Sequence, residues 1–228
     1  MNAEQLEAKQ RISQDRTRTN LFRTSEQYML SLLCTLMPKW VSPNILTAIG
    51  FFGSFIILAA FYFAREDRFL LAFGVLGFAI QWFGDSLDGR IAYYRNTPRK
   101  WYGFTLDMTM DWLSTIIVGI GFYFYLPEWY RIFVYTFITA YGWTMIIALL
   151  KYKVTGKYQI DSGLLGPTEL RIILCLIIVG EIVLPGFMKA FTIIANIVLF
   201  TMNTIDFVKL LGLANEKDQT EHGATSGK

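Results

Sequence analysis

Long apolar runs, separated by short polar segments, extend over most of the chain. The hydrocarbon core of a bilayer is about 30 Å thick, and a helix needs roughly 20 apolar residues to cross it. The pattern therefore predicts an all-α, polytopic membrane protein with six transmembrane helices. We expect these helices near 45–64, from 69 to beyond 83, and near 103–126, 132–150, 168–184 and 187–207.

A shorter, amphipathic pattern precedes the first long apolar run. Between Met29 and Met37 apolar residues recur at i, i+3, i+4, i+7 and i+8, which is typical of a helix with one apolar face. Pro38 ends this pattern. We expect the helix to lie in the membrane interface. The alternative is that it packs on the helical bundle.

These patterns divide the chain into three regions. Residues 1–42 form a cytoplasmic segment with the amphipathic helix, 43–213 form the six-helix domain, and 214–228 form a polar, disordered cytoplasmic tail. Most of the 21 lysines and arginines fall on the same predicted side as the amino terminus. Because basic residues prefer cytoplasmic loops, both termini are predicted to be cytosolic. In a bacterium the membrane would be the inner or plasma membrane.

Composition narrows the chemistry. The chain is 54% hydrophobic and 17% charged, with a mean hydropathy of +0.38, which excludes an ordinary soluble domain. It has no basic domain that would bind nucleic acid. Its two cysteines lie in apolar stretches, and its single histidine lies in the polar tail. A metal site or an acid–base group must therefore be built from carboxylates, lysines and arginines.

Four aspartates interrupt the apolar pattern. Asp85 and Asp88 lie at i and i+3 near the end of the second predicted span, and Asp107 and Asp111 lie at i and i+4 near the start of the third. Each pair shares one helix face, and a short connection makes the two helices antiparallel neighbours. Ionisable residues in membrane helices usually mark a functional site that faces the protein interior. The predicted topology places these four at the cytoplasmic end of their helices. Converging carboxylates need a positive charge among them, and oxygen ligands alone suit magnesium, manganese or calcium.

The aspartates belong to a longer motif. The sequence DSLDGRIA at 85–92, followed by GFTLDMTMD at 103–111, resembles the signature of the CDP-alcohol phosphotransferases, D-x-x-D-G-x-x-A-R and then G-x-x-x-D-x-x-x-D. SPNILTAIG at 42–50 also resembles the start of the first helix in that family. The resemblance implies a membrane enzyme that transfers a substituted phosphate from a CDP-linked donor to an alcohol and releases CMP. It also implies one or two Mg²⁺ or Mn²⁺ ions as cofactors.

The resemblance further implies roles for individual residues. The four aspartates would hold the metal, and Asp111 would also be the catalytic base that deprotonates the acceptor hydroxyl. The residues that would bind CDP are Asn44, Thr47, Asp85, Gly89, Ala92, Gly103 and Asp107. For Asn44 and Thr47 the alternative is a helix cap and turn. For Gly89 and Gly103 the alternative is close helix packing.

One position departs from the signature. The arginine that follows the alanine in the family is Tyr93 in this chain. Arg90 or Arg95 could bring a cation to the same region from another position. Otherwise Tyr93 would indicate a changed nucleotide contact or a non-catalytic homologue. Because all four aspartates are present, we expect an active enzyme.

The acceptor is less constrained by the sequence. GPTELR at 166–171 opens the fifth predicted span and brings Glu169 and Arg171 to the site, with Lys151 in the preceding segment. The basic residues suit a phosphorylated acceptor, such as inositol phosphate or glycerol phosphate, with CDP-diacylglycerol as donor. Thr168 and Glu169 instead resemble a pair in the branch that uses CDP-choline or CDP-ethanolamine and diacylglycerol. Positive-inside topology alone also accounts for cytoplasmic lysines and arginines.

The predicted partners follow from this chemistry. They are a CDP-linked lipid or CDP-alcohol donor, a polar alcohol or diacylglycerol acceptor and membrane lipids, and the resemblance adds a homodimer. A membrane cation transporter is the main rival function, and it would distribute acidic residues across the membrane depth. The four aspartates cluster at one face instead, which favours the enzyme.

Overall fold

A computed structural model describes residues 23–156 and 167–226 of the chain. The described residues form seven α-helices and contain no strand, so the all-α prediction is confirmed. The helices are α1 (Arg23–Leu36), α2 (Pro43–Phe63), α3 (Ala72–Tyr94), α4 (Lys100–Tyr125), α5 (Arg131–Thr155), α6 (Pro167–Val183) and α7 (Phe187–Ser226). Short 3-10 turns, Arg68–Leu71 and Glu128–Tyr130, precede α3 and α5.

Four segments of the described chain are long and apolar enough to cross a membrane. They are Pro43–Phe63, Arg68–Tyr94, Glu128–Thr155 and Phe187–His222. The two other helices predicted to span, α4 and α6, are present as helices. The first half of α4 carries Asp107 and Asp111, and α6 has only 17 residues. The count of six spans therefore stays a prediction.

Helices α1 to α4 and α6 belong to one compact unit, and α5 and α7 from Lys189 onward belong to a second. In the first unit, α2 and α3 approach each other closely through glycines. A Cβ atom on Gly53 would lie 2.7 Å from the Gly77 carbonyl oxygen, and one on Gly84 would overlap the backbone of Gly50 and Leu46. Only residues without a side chain permit this backbone contact. It places the next residue of α3, Asp85, beside the first turns of α2.

Helix α1 packs on α3 through a face that includes only part of the predicted apolar stripe, since Leu33 and Met37 of that stripe also pack against the core. Leu30 and Cys34 are fully buried in a cluster with Leu46, Leu87 and Ile91. Burial raises the pKa of the Cys34 thiol to about 11, and the thiol packs as a small buried hydrophobe.

The predicted stripe of α1 is largely exposed, since Met29, Leu32 and Leu36 are 44%, 45% and 69% accessible. The helix thus packs on the bundle with one face and presents an apolar face outward with another. Its location in the membrane interface stays a prediction.

In the second unit, two buried asparagines of α7 make the same pattern of hydrogen bonds to α5. Thr136 donates its hydroxyl to Asn196 Oδ1 at 2.8 Å, and Thr144 donates to Asn203 Oδ1 at 2.8 Å. The amide groups in turn donate to backbone carbonyls of α5, Asn196 to Phe133 and Asn203 to Ala140. These paired hydrogen bonds, two helical turns apart, set the register between the two helices.

The carboxyl-terminal segment differs from the expectation. Residues 214–226, predicted as part of a disordered tail, continue α7 as a helix up to Ser226. The physical reason is that this helix needs no new nucleus, because the apolar part of α7 already provides one. The sequence ANEKDQTEH that follows residue 213 also lacks proline and glycine and is rich in good helix formers.

Candidate active site

Three of the four predicted aspartates meet at one point of the first unit. Asp85 from α3 and Asp107 and Asp111 from α4 each offer an oxygen, and these oxygens lie within 4.8 Å of one another. All three residues are half-buried. Divalent cations bind oxygen at about 2.0–2.6 Å, so two ligands on opposite sides of one ion are about 4 to 5 Å apart. The three carboxylates therefore fit a single divalent cation.

Asp88 lies outside this trio and takes part in a different contact. The Thr47 hydroxyl donates to Asp88 Oδ2 at 2.7 Å, and the Gly89 backbone N–H donates to Oδ1. Thr47 also donates to the Pro43 carbonyl one turn earlier. The predicted nucleotide residue Thr47 thus links α2 to the signature helix α3, while the role of Asp88 as a metal ligand stays a prediction.

An arginine from α6 supplies positive charge to the trio. Arg171 Nη2 lies 2.6 Å from Asp85 Oδ2, and their side chains are only 14% and 24% exposed. Glu169, two residues earlier on α6, is buried at 4% accessibility. Of the predicted acceptor residues, Arg171 thus contacts the carboxylates directly. Lys151 lies on α5 in the second unit, where it is half-buried.

The two arginines near Tyr93 are both engaged in holding helices together. Arg95 donates to the backbone carbonyls of Val41 at 2.5 Å and Pro38 at 2.7 Å, and so fastens the turn between α1 and α2. Arg90 donates to the Ser86 carbonyl and lies 3.7 Å from Glu26 Oε1. Tyr93 itself is half-buried on α3. Arg95 therefore has a structural task that the motif spacing did not indicate.

The predicted nucleotide residue Asn44 lies at the start of α2, beside a cavity of about 380 Å³. Its Oδ1 accepts from Arg99 at 2.6 Å, and its Nδ2 donates to the Tyr102 hydroxyl at 3.3 Å. The Arg99 guanidinium also lies over the Tyr102 ring, 4.4 Å from its centre. Ser42, not Asn44, caps the helix, because Ser42 Oγ accepts from the Ile45 N–H. The capping alternative for Asn44 is therefore wrong.

The small residues of the signature have different surroundings. A Cβ atom on Gly103 would meet no other protein atom within 4 Å, so this glycine leaves open space at the start of α4 instead of a helix contact. Ala92 is buried at 7% accessibility, and Gly89 is half-buried. The packing alternative for Gly103 is therefore not supported, and its role in binding CDP stays a prediction.

Comparison with known proteins identifies the fold and the signature together. The sequence profile of the CDP-alcohol phosphatidyltransferase family matches residues 40–204, which is most of the chain. The chain belongs to this family. Its helices also match the crystal structure of the Mycobacterium tuberculosis phosphatidylinositol phosphate synthase PgsA1 with CDP-DAG bound. The two share 19% sequence identity and a TM-score of 0.55, over 84% of this chain and 94% of the synthase. No curated protein matched the sequence.

Membership decides the general activity. The chain is a CDP-alcohol phosphotransferase and an integral membrane protein, and the cation-transporter interpretation is set aside. Members of this family generally depend on a divalent metal, which agrees with the trio of carboxylates. In this phosphotransferase, the residues that could hold such an ion come from α3 and α4, and a cationic side chain from α6 contacts one of them.

One residue at the edge of the site was missed from the sequence. Glu26 of α1 is buried at 6% accessibility and contacts both Arg90 and Thr168. The available signal was its spacing, because Glu26, Leu30 and Cys34 recur every four residues and share the buried face of α1. The stripe between Met29 and Met37 is more strongly apolar, and its pattern did not identify the face that contains Glu26.

Proposed function

We propose that the enzyme transfers the phosphatidyl group of CDP-diacylglycerol to the hydroxyl of a phosphorylated polar alcohol and releases CMP. The observation that carries this proposal is the half-buried pair of Arg171 and Asp85, which places a guanidinium at the carboxylate trio. A guanidinium has five N–H donors in a planar fork, so Arg171 can contact Asp85 and still bind a phosphate. Inositol phosphate and glycerol phosphate are acceptors of this kind.

The donor assignment is supported by the fold. The structurally similar synthase has CDP-DAG bound, and its chain is matched over nearly its whole length. The CDP-binding set proposed from the signature comprises Asn44, Thr47, Asp85, Gly89, Ala92, Gly103 and Asp107. The cavity beside Asn44 and the open space at Gly103 lie in the same unit as the trio.

The proposed reaction uses the residues of the trio in distinct roles. We assign the metal to Asp85, Asp107 and Asp111, with Asp88 as a further ligand; when bound, the metal neutralises charge on the donor pyrophosphate and makes CMP a better leaving group. Asp111 accepts the proton of the acceptor hydroxyl. The freed oxygen bonds to the phosphorus that carries diacylglycerol, and the bond from that phosphorus to the CMP oxygen breaks. Arg171 holds the acceptor phosphate so that the hydroxyl faces this phosphorus.

The proposed location follows from the distribution of charge. Basic residues predict that both termini and the site face the cytosol, where a lipid donor and a water-soluble acceptor both arrive. A homodimer is the assembly that the family resemblance implies.

A second candidate reaction is favoured by one observation. Thr168 and the buried Glu169 lie at the start of α6, next to the turn that carries Arg171. A buried carboxylate suits a cationic amino alcohol better than a phosphate. The alternative reaction therefore uses CDP-choline or CDP-ethanolamine as donor and diacylglycerol as acceptor.

Release of CMP by the purified full-length protein in Mn²⁺ separates the two reactions. One panel supplies CDP-diacylglycerol with inositol phosphate, glycerol phosphate or their unphosphorylated alcohols. The other supplies CDP-choline or CDP-ethanolamine with diacylglycerol. CMP only with a phosphorylated acceptor supports the proposal, and CMP only in the second panel replaces it with the alternative. No CMP in either panel, from protein that still binds CDP-diacylglycerol, would favour the non-catalytic interpretation of Tyr93.

A further inference from the structure

Glu26 lies outside the part of the chain that matches the family, 40–204, yet it contacts two helices of the site. Its side chain is 6% exposed. Glu26 Oε1 accepts the Thr168 hydroxyl at 3.1 Å and lies 3.7 Å from Arg90 Nη2. The Arg90 side chain is 11% exposed, so the ion pair is almost completely removed from water.

These contacts join the same two helices as the Arg171–Asp85 pair. Arg90 lies in the signature on α3, the helix that carries Asp85. Thr168 lies one turn before Arg171, at i and i+3 on one face of α6. Helices α3 and α6 are therefore connected at two points, directly by Arg171 and Asp85 and through α1 by Glu26.

The buried negative charge of Glu26 makes its contacts with Arg90 and Thr168 necessary. Burial of a carboxylate is unfavourable in free energy unless the group is paired and hydrogen-bonded. Arrangements in which both Arg90 and Thr168 reach Glu26 are therefore favoured. A buried ion pair adds little net stability, but an arrangement that separates its partners leaves a buried charge uncompensated and is strongly unfavourable. The first turn of α6 is thereby restricted relative to the signature helix.

We infer that Glu26 is a positioning residue that fixes the first turn of α6 against α3 and so sets the place of Arg171 at the site. The part of this inference that concerns the acceptor rests on the proposed function, whereas the contact between the helices does not. The amphipathic helix α1 thus contributes to the acceptor side of the enzyme.

The structural part is tested by hydrogen exchange on the full-length protein in lipid nanodiscs. Glu26→Gln keeps the size of the side chain and an oxygen for Thr168 but removes the charge that faces Arg90. We expect faster amide exchange over 171–175, the first hydrogen-bonded turn of α6, and unchanged exchange in the middle of α2. The matched control is Glu66→Gln, the same change at an exposed position after α2. Unchanged exchange over 171–175 in Glu26→Gln would overturn the inference.

The functional part is tested by steady-state kinetics with the acceptor that releases CMP from the wild type. Glu26→Gln should raise the acceptor KM about tenfold, with kcat and the CDP-diacylglycerol KM within about twofold of the wild type. Thr168→Val should raise the acceptor KM in the same direction, and the double variant should show less than the product of the two effects. Proportional loss of kcat and both KM values, with faster exchange throughout the protein, would show a general structural role and overturn the inference.

The two measurements separate this inference from the proposed function. If the wild type uses only diacylglycerol as acceptor, the phosphorylated-acceptor proposal fails, and the KM of diacylglycerol takes its place in the comparison. Faster exchange over 171–175 with an unchanged acceptor KM would overturn the link from Glu26 to the acceptor.

Discussion

Arg171 of α6 and Asp85 of α3 form an ion pair with a separation of 2.6 Å, in which both side chains are mostly buried. Asp85 is also a member of the carboxylate trio. A positive charge among close carboxylates reduces their mutual repulsion. The pair therefore connects the part of the site that suits a metal with the helix that we assign to the acceptor.

Replacement of Arg171 by glutamine should weaken binding of a phosphorylated acceptor. Loss of a charge-assisted contact to phosphate should raise the apparent KM for that acceptor about tenfold or more, and the KM for its unphosphorylated alcohol much less. The measurement compares both KM values by CMP release. Arg65→Gln, at an exposed position after α2, is the matched control. Equal effects on the two acceptors would show that Arg171 does not bind the acceptor phosphate.

Replacement of Asp111 by asparagine should remove the proposed base. Because general bases contribute about 100-fold to 10,000-fold to rate, we expect kcat to fall by that factor while CDP-diacylglycerol still binds. The measurement pairs CMP release with a direct binding titration of the donor. Asp218→Asn, an exposed position near the end of α7, should match the wild type in both. Normal turnover in Asp111→Asn would remove Asp111 from the role of base.

Asp107 and Asp88 should differ in how much each contributes to metal binding. Asp107 belongs to the trio, whereas Asp88 is held by Thr47. We therefore expect Asp107→Asn to abolish Mn²⁺ binding in a titration followed by electron paramagnetic resonance. Asp88→Asn should weaken Mn²⁺ binding by a smaller factor, because the Asp88 oxygens also accept hydrogen bonds from the Thr47 hydroxyl and the Gly89 N–H.

The hydroxyl of Thr47 provides the control for Asp88. Thr47→Val removes the donor and keeps the shape, so it should weaken Mn²⁺ binding less than Asp88→Asn does. Equal losses for Asp88→Asn and Asp107→Asn would place Asp88 in the ligand set on the same footing as the trio. Unchanged Mn²⁺ binding in Asp88→Asn would remove Asp88 from that set.

The sequence predicted the site most successfully where local spacing determines geometry. The i, i+4 spacing of Asp107 and Asp111 places them on one helix face, and a short connection brings Asp85 opposite them. These relations depend only on helix period and loop length. The convergence of the trio could therefore be predicted without any knowledge of long-range packing.

Contacts between distant segments were not predictable in the same way. The Thr47–Asp88 hydrogen bond requires α2 and α3 to approach closely, and this depends on which glycines face each other. Arg95 was a candidate for the signature cation, but its distance from the turn at Pro38 is set by packing of α1. Motif spacing contains no information on either relation.

The buried asparagines of the second unit should contribute to stability and not to catalysis. Asn203 is 2% exposed, accepts from Thr144 and donates to the Ala140 carbonyl. Interhelical hydrogen bonds in membrane proteins are worth about 1 kcal/mol each, so Asn203→Ala should lower the free energy of unfolding by about 1 to 2 kcal/mol. The acceptor and donor KM values should stay within about twofold of the wild type. Both are measured on the purified protein, the first by denaturant titration in detergent.

Thr201→Ala is the matched control for Asn203→Ala, because within the described part of the chain the exposed Thr201 hydroxyl donates only to the Ile197 carbonyl of its own helix. Its loss removes a side-chain hydrogen bond without an interhelical partner, so we expect almost no change in the free energy of unfolding. If both variants lowered the free energy of unfolding equally, the Asn203 hydrogen bonds would make no specific contribution to the contact between α7 and α5. A loss confined to Asn203→Ala would instead show that the Asn203 hydrogen bonds help to hold α7 to α5. Asn196 makes the same contacts two turns earlier, so we expect the same result at that position.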